Sequence, residues 1–449
     1  MEATSPQLKP VIDGTGIFLL LFTICVFLVP IFIFFPPVSP SKSDAVRQTH
    51  IKVGVEQSKS KLKDQRAPNS ASRTGSSAGI RSLWIYPVKS CKGIEVARSK
   101  VLPTGLEFDR LFTFAQLKSP FPVGLGSSDE EKTRHRWEFI TQRQFPRLAT
   151  VQADLYVADF VKATGQADDR PTESFLILTF PWRETGLRGA LGWLAAKLRR
   201  GPSAVPEMEV LLPVAFPSEA DIEDLGYTYE QVTIWKDSVR ALNMEAELPP
   251  ELRLYLGVSN KLGLFRVDPE SLREVYRCAP GRDEAGYQPV TGFQDAYPLH
   301  LINLASVRDL ESKIAKDENM TSLDARRFRS NIIIDDVEAY DEDSWKLIRF
   351  RAAPSGKSPD SKCHVSCRTV RCKMPNVDPD TAFRHPVEPD KSLRKLRNID
   401  EGSPRNGCLG MQLTPLFEKA KSPDDMEGWL EVGMAVEVLE RGSHRYIAQ

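Results

Sequence analysis

Between Gly16 and Phe35 the chain reads GIFLLLFTICVFLVPIFIFF, and no charged residue occurs from 15 to 37. The run has no polar face to offer water, so neither a surface strand nor an amphipathic helix can be drawn on it. A helix of that length spans about 30 Å, the thickness of a hydrocarbon core. Pro30 is compatible with this, since membrane helices tolerate proline better than soluble ones. A cleaved leader would carry a basic stretch before a shorter apolar core. Here residues 1–14 hold Glu2, Lys9 and Asp13, and the run ends in FFPPVSP with no small-residue cleavage site. We therefore expect a tail at 1–14, a transmembrane anchor at 15–37, and a lipid bilayer as partner.

The segment C-terminal to the run sets its orientation. Residues 38–79 carry eight Lys/Arg (Lys42, Arg47, Lys52, Lys59, Lys61, Lys63, Arg66, Arg73) against Asp44, Glu56 and Asp64. Basic flanks stay in the cytosol, and they are drawn to anionic headgroups. The expectation is a single-pass protein with a cytosolic C-terminal body, in the mitochondrial outer membrane or the ER. The Ser- and Lys-rich composition predicts that 38–79 is a basic flexible tether. In that compartment the cysteines of the main domain should be reduced. The whole chain balances 60 Lys+Arg against 60 Asp+Glu over 449 residues, which argues against a nucleic-acid partner.

From Ile80 onward the pattern is mainly β, with α+β character. Strands are expected at IRSLWIYPVKS, 110–116, 138–142, 149–157, 174–180 and 231–235, short and spaced as in a barrel or sandwich. GLRGALGWLAAKLRR (186–200) has helical periodicity, and 245–260 has room for a helix after its Pro pair. In a second region, beginning near Asp295, a strand-like start at 300 leads to a helix with Ser306 as the expected N-cap. The segments 327–336, 345–352 and 428–442 are further strand candidates. Polar or proline-rich inserts at 118–136, 181–206 and 353–362 have no assigned role.

The densest chemistry is CHVSCRTVRCK at 363–373, where three thiols lie among His364, Arg368, Arg371 and Lys373. Cationic neighbours favour thiolate, the form that attacks electrophiles and binds soft metals. The C-x3-C-x4-C spacing, without a second C-x2-C or H-x3-H pair, fits zinc poorly. Cys363 and Cys367 read better as structural or loop cysteines, and Cys91 as structural.

Cys372 stands apart because of its sequence neighbours. RCKMPNVDPDTA (371–382) and WIYPVKSCKG (84–93) accompany FDRLF (108–112), TQRQFPRLATV (141–151), DAYPLHLINLASV (295–307), RFRSNIIID (327–335) and EDSW (342–345). In this order the motifs resemble the MOSC-domain molybdenum-cofactor proteins, and among them the amidoxime-reducing components of the mitochondrial outer membrane. The resemblance covers roughly 80–440 and implies a MOSC N-terminal β-barrel domain at 80–285 followed by a MOSC β-barrel domain at 286–449. It implies a molybdenum–molybdopterin cofactor (Moco) contacted by Lys89, Ser90, Arg110, Arg329, Asn331 and Arg371, with the Cys372 thiolate as metal ligand and catalytic residue. Cations and neutral donors of this kind suit a large anion, since Arg offers a rigid fork for phosphate and Lys a point charge.

The function so implied is reduction of N-hydroxylated substrates such as amidoximes and hydroxylamines. Electrons would come from cytochrome b5 and NADH-cytochrome b5 reductase, and the chain has no GxGxxG fingerprint of its own. A different class of reading is a cofactor carrier or sulfur-transfer module without reductase activity. A third is a binding protein that kept the fold without catalysis. The chain departs from the reductases at Ala296-Tyr297, where they have a Thr-Ser pair, and at Val370, where they have a small hydroxyl residue.

Overall fold

The computed structural model describes residues 13–34, 41–66, 78–120, 124, 126, 128–159, 173–352, 358–418, 420 and 422–448. The apolar run is helical from Gly14 to Phe34. Its large apolar side chains from Ile17 to Leu28 are exposed. The stretch from Gly14 to Leu28 covers only about 21 Å of axis, and among the described residues no helix is long and apolar enough to cross a membrane. The expected tether departs from a structureless segment. Ser41 caps a short helix, Lys42–Val46. His50–Lys52 then pairs with Gln152–Ala158, which would otherwise be a sheet edge with unpaired backbone groups. His50 and Leu62 are buried against the body.

The principal sheet closes on itself. Its strand order is Ile332–Asp335, Leu299–Asn303, Cys408–Leu416, Ser361–Val370, Trp345–Arg351, Ala435–Arg441, Gly79–Ile85 and Ile94–Val96, and a further pairing joins Ile332–Asp335 to Gly79–Ile85. The opening strand, though it begins the first sequence region, is thus built into the barrel of the second. Leu299–Asn303 and Ile332–Asp335 run parallel, so the chain must cross over between them. The helix Leu304–Lys313 makes that crossover and buries Leu304, Val307 and Leu310. Its N-cap is Asn303, whose side chain accepts from the Ala305 N–H. Ser306, the expected cap, instead gives its hydroxyl to Glu342 at 2.7 Å.

A second, five-stranded closed barrel contains Phe112–Lys118, Arg136–Phe139, Thr228–Ile234, Asp237–Asn243 and Leu262–Val267. A four-stranded sheet joins His50–Lys52, Gln152–Ala158, Phe175–Pro181 and Glu207–Pro213. Every residue of Leu262–Val267 is buried, as a strand enclosed on both faces requires. The turns that leave the strands of the principal barrel meet those of the smaller one, and between them lies a cavity of about 680 Å³.

Candidate functional site

Four cavity-lining residues hold left-handed backbone that their side chains disfavour: Ser90 (φ 69°), Arg110 (φ 52°), Trp235 (φ 57°) and Arg329 (φ 52°). Such conformations cost about 1–3 kcal/mol each and collect at functional sites. Each has a clear local origin. Ser90 lies in the turn after Gly79–Ile85, and Arg110 in the turn before Phe112–Lys118. Arg329 ends the 3-10 turn Ala325–Phe328, directly before the buried strand that begins at Ile332. Trp235 opens the hairpin turn between Thr228–Ile234 and Asp237–Asn243. In the other three cases the bend delivers a cation or hydroxyl to the cavity.

All seven site residues expected from sequence come together here. Arg110, Arg329, Asn331, Arg371 and Cys372 line the large cavity, and Lys89 and Ser90 line a small adjoining one that shares Arg110, Arg329 and Cys372. Cys372 therefore stands at the junction of the two spaces. It follows the strand Ser361–Val370, whose Cys363 and Cys367 are buried. Burial pushes the Cys363 and Cys91 thiols up to about 12, as suits structural cysteines. Met374–Asn376 then turns the chain, and Asp378 of VDPDT accepts from Arg327 at 2.6 Å and from the N–H groups of Asp380 and Thr381.

The cavity wall is crowded with cations. The guanidiniums of Arg110 and Arg329 both lie over the Tyr86 ring, 4.8 Å and 4.2 Å from its centroid, a contact that is stronger when water is excluded. Arg110 donates to Asp109 and Asn331, and to the Arg329 carbonyl at 3.1 Å. Burial opposes its charge, but Asp109 holds its pKa above the ordinary value. Arg329 lacks such a partner. Burial pulls it down to about 10, and one of its two terminal nitrogens, Nη2, is buried without a hydrogen-bond partner. The buried hydroxyls of Thr141 and Thr369, which also line these spaces, are likewise unpartnered. The wall around these spaces therefore carries buried hydrogen-bonding capacity that the protein chain does not fill.

Lys89 donates to the Phe293 carbonyl at 2.7 Å and to Asp295 at 2.6 Å. Burial lowers its pKa, and Asp295 works against that. Burial favours the neutral form of Asp295, but the Lys89 charge and hydrogen bond, with Trp235 and Arg110, keep it well below the usual carboxylate range. Asp295 is thus an ionised partner for Lys89. Arg371 is drawn down to about 10 by burial. Its Nε donates to the Leu409 carbonyl at 2.9 Å and its Nη2 to His300 Nε2 at 2.7 Å. His300 is held far below its ordinary pKa, first by burial and then by Arg371 and Arg110. The neutral ring therefore accepts at Nε2 and gives its Nδ1–H to Ser330 Oγ at 2.9 Å.

Sequence reasoning missed Tyr86, Gln142, Trp235, Asp295 and His300 as site residues. Tyr86, Gln142, Asp295 and His300 fall inside or at the edge of the motifs that carry the family resemblance, which was the available signal; Trp235 carried none. At the departure positions, Ala296 and Val370 line the large cavity. The Tyr297 hydroxyl is committed to the Arg277 carbonyl at 2.5 Å.

The motif resemblance has independent support. Residues 77–181 match the MOSC N-terminal beta barrel domain, and residues 288–437 match the MOSC domain. The mitochondrial amidoxime reducing component 2 of Rattus norvegicus is 24% identical over 355 residues, 79% of this chain and 81% of that protein. The mitochondrial amidoxime-reducing component 1 of Homo sapiens is 23% identical over 336 residues, 72% of each. The molybdenum cofactor sulfurase of Danio rerio is 24% identical over 371 residues, which is 81% of this chain but 34% of that protein. With both domains matched in order, and relatives aligned over most of its length, the chain belongs to the MOSC-domain proteins and is similar to the mitochondrial amidoxime-reducing components.

Proposed function

We propose that this protein is a membrane-anchored molybdenum-cofactor oxidoreductase that reduces N-hydroxylated substrates with electrons from cytochrome b5 and its NADH-dependent reductase. The observation that carries the reading is the unpartnered Nη2 of buried Arg329, in a cationic cavity that also holds the Cys372 thiol. That donor set fits an anionic pterin phosphate and a thiol-ligated metal. Arg329, Arg110 and Lys89 would hold the anion, Ser90 and Asn331 would fix its orientation as neutral donors, and Cys372 would ligate the metal. Arg371, braced by neutral His300, would place a positive charge beside the Cys372 thiol. When bound, the cofactor supplies the two-electron chemistry. An amidoxime, two electrons and two protons then give an amidine and water.

The helix Gly14–Phe34 would hold the body at a bilayer, with the basic residues after it on the cytosolic side, in the mitochondrial outer membrane or the ER. The similarity to sulfurases over 81% of this chain supports a second reading, a cofactor carrier or sulfur-transfer module. Purified full-length protein from a cofactor-competent host separates the two. Near-equal molybdenum and pterin, with benzamidoxime reduction in the presence of cytochrome b5, its reductase and NADH, is the expected result. Cofactor without turnover favours the carrier, and metal-free protein defeats both. Cys372→Ala should lower turnover by about three orders of magnitude or more while leaving thermal unfolding unchanged. Full turnover in that variant refutes the ligand role.

A further inference from the structure

The helix Gly186–Arg200 is inside out. A helix on a globular body ordinarily turns its large apolar stripe inward. Here the buried residues are Gly189 and Ala196. Gly189 fits so closely that a Cβ would lie 1.8 Å from the Glu184 carbonyl oxygen. Leu187, Leu191, Leu194 and Leu198 share one face by their spacing, and that face points outward. Leu187 is 84% and Leu198 77% exposed, and Trp193 is exposed on the helix flank, about 120° around from that stripe. The flanks carry Arg188, Lys197, Arg199 and Arg200, and the helix has no acidic residue. A leucine stripe with Trp, bordered only by cations, matches a helix that lies in the interface of an anionic bilayer.

The fold places this helix where such a surface would be. Ser43, just after the N-terminal helix, donates from its backbone N–H and its hydroxyl to Glu209 at 2.9 and 2.7 Å. Glu209 lies on the strand Glu207–Pro213, which follows the helix, and Arg200 at the helix end pairs with Glu207 on the same strand. The seven residues from Phe34 to Ser41 can span at most about 25 Å. Ser43 and the C-terminal end of the helix Gly186–Arg200 thus engage the same end of one strand of the four-stranded sheet.

We propose that Gly186–Arg200 is a second membrane contact, lying parallel to an anionic lipid surface with Leu187, Leu191, Leu194 and Leu198 among the acyl chains. The position of that surface rests on the reading of Gly14–Phe34 as an anchor; the charge and apolar pattern of the helix do not. Two contacts would fix the orientation of the body, whereas a lone anchor would leave it free to tumble.

The test uses full-length protein with vesicles of phosphatidylcholine, alone or mixed with phosphatidylserine, bearing brominated acyl chains that quench tryptophan. We expect stronger quenching in the anionic vesicles, with the increment lost in Trp193→Phe and reduced severalfold in Leu187→Glu/Leu198→Glu. Both leucines are largely exposed, so the double variant should unfold at the same temperature as the parent. Equal quenching in the parent and Trp193→Phe overturns the proposal. Flotation with neutral vesicles reports the anchor separately. Flotation with no Trp193-dependent quenching sinks this inference alone, and the converse pattern sinks the anchor alone. Protection of the helix from hydrogen exchange in lipid-free protein that rises with protein concentration would show that a second copy covers it, which also overturns the proposal.

Discussion

Arg329 and Glu342 lie on either side of the strand Ile332–Asp335 in sequence, and both are buried, yet they are solvated differently. Both carboxylate oxygens of Glu342 are satisfied: one accepts from Ser306 Oγ at 2.7 Å and the other from Asn303 Nδ2 at 2.9 Å. Arg329 donates one hydrogen bond to Gln142 at 3.4 Å and leaves Nη2 with none. A buried polar group whose atoms are all partnered is part of the framework, here tying the crossover helix to the loop before Trp345–Arg351. A buried cation with an incomplete shell, on strained backbone beside a cavity, is the pattern expected of a binding residue. The difference in solvation is therefore the feature on which the proposed cofactor role of Arg329 rests.

The largest expected effect comes from the strand wall behind His300. Gly410, in the strand Cys408–Leu416, has φ +82°, and a Cβ there would lie 2.5 Å from the Leu301 oxygen and 2.6 Å from His300 Nε2. Leu301 is on the strand that continues to Asn303, and His300 braces Arg371. Gly410→Ala should destabilise the protein by about 4 kcal/mol, combining backbone strain with a core clash. Urea unfolding in detergent measures this; an unchanged midpoint would mean that the strand relaxes freely.

A smaller effect isolates Glu342. Burial raises its pKa from 4.5 to about 7, against the lowering by Ser306 and Asn303. The folded protein then holds this proton where the unfolded chain has released it. The contribution to stability is full below pH 4.5 and is lost as pH rises to about 7. At 1.36 kcal/mol per unit, the loss is about 3 kcal/mol. Stability of Glu342→Gln should lack this decline; an equal slope in both proteins assigns it elsewhere.

How much of this was legible in sequence depended on where the determinants sit. The motif residues Lys89, Ser90, Arg110, Arg329, Asn331, Arg371 and Cys372 all reached two adjoining cavities because each follows or precedes a strand, and strand ends gather at barrel mouths. Their partners were harder to see. Asp295 completes Lys89 from 206 positions away, and His300 completes Arg371 from 71. Local pattern does not encode such pairings. CLGMQLTPL contains Gly and Pro and shows no clear alternation, so the strand Cys408–Leu416 escaped notice although it is central to the barrel. The basic composition of 38–79 concealed His50, which is buried because its ring is within hydrogen-bonding distance of Thr49 and the Glu173 carbonyl.

The mildest and most discriminating prediction concerns Arg329 itself. If its incomplete shell is a binding feature, the residue lowers the stability of the cofactor-free fold. Arg329→Met keeps the length and packing over Tyr86 but removes a buried charge whose pKa burial already depresses to about 10. Replacing poorly compensated buried charge with apolar volume is often neutral or favourable. Cofactor-free Arg329→Met should therefore be more stable than the parent by about 1 kcal/mol, while retaining less pterin and molybdenum when produced in a cofactor-competent host. The two readouts move in opposite directions, which separates ligand binding from a structural role. Were Arg329 a framework residue like Glu342, the substitution would lower stability and leave cofactor content per folded molecule unchanged.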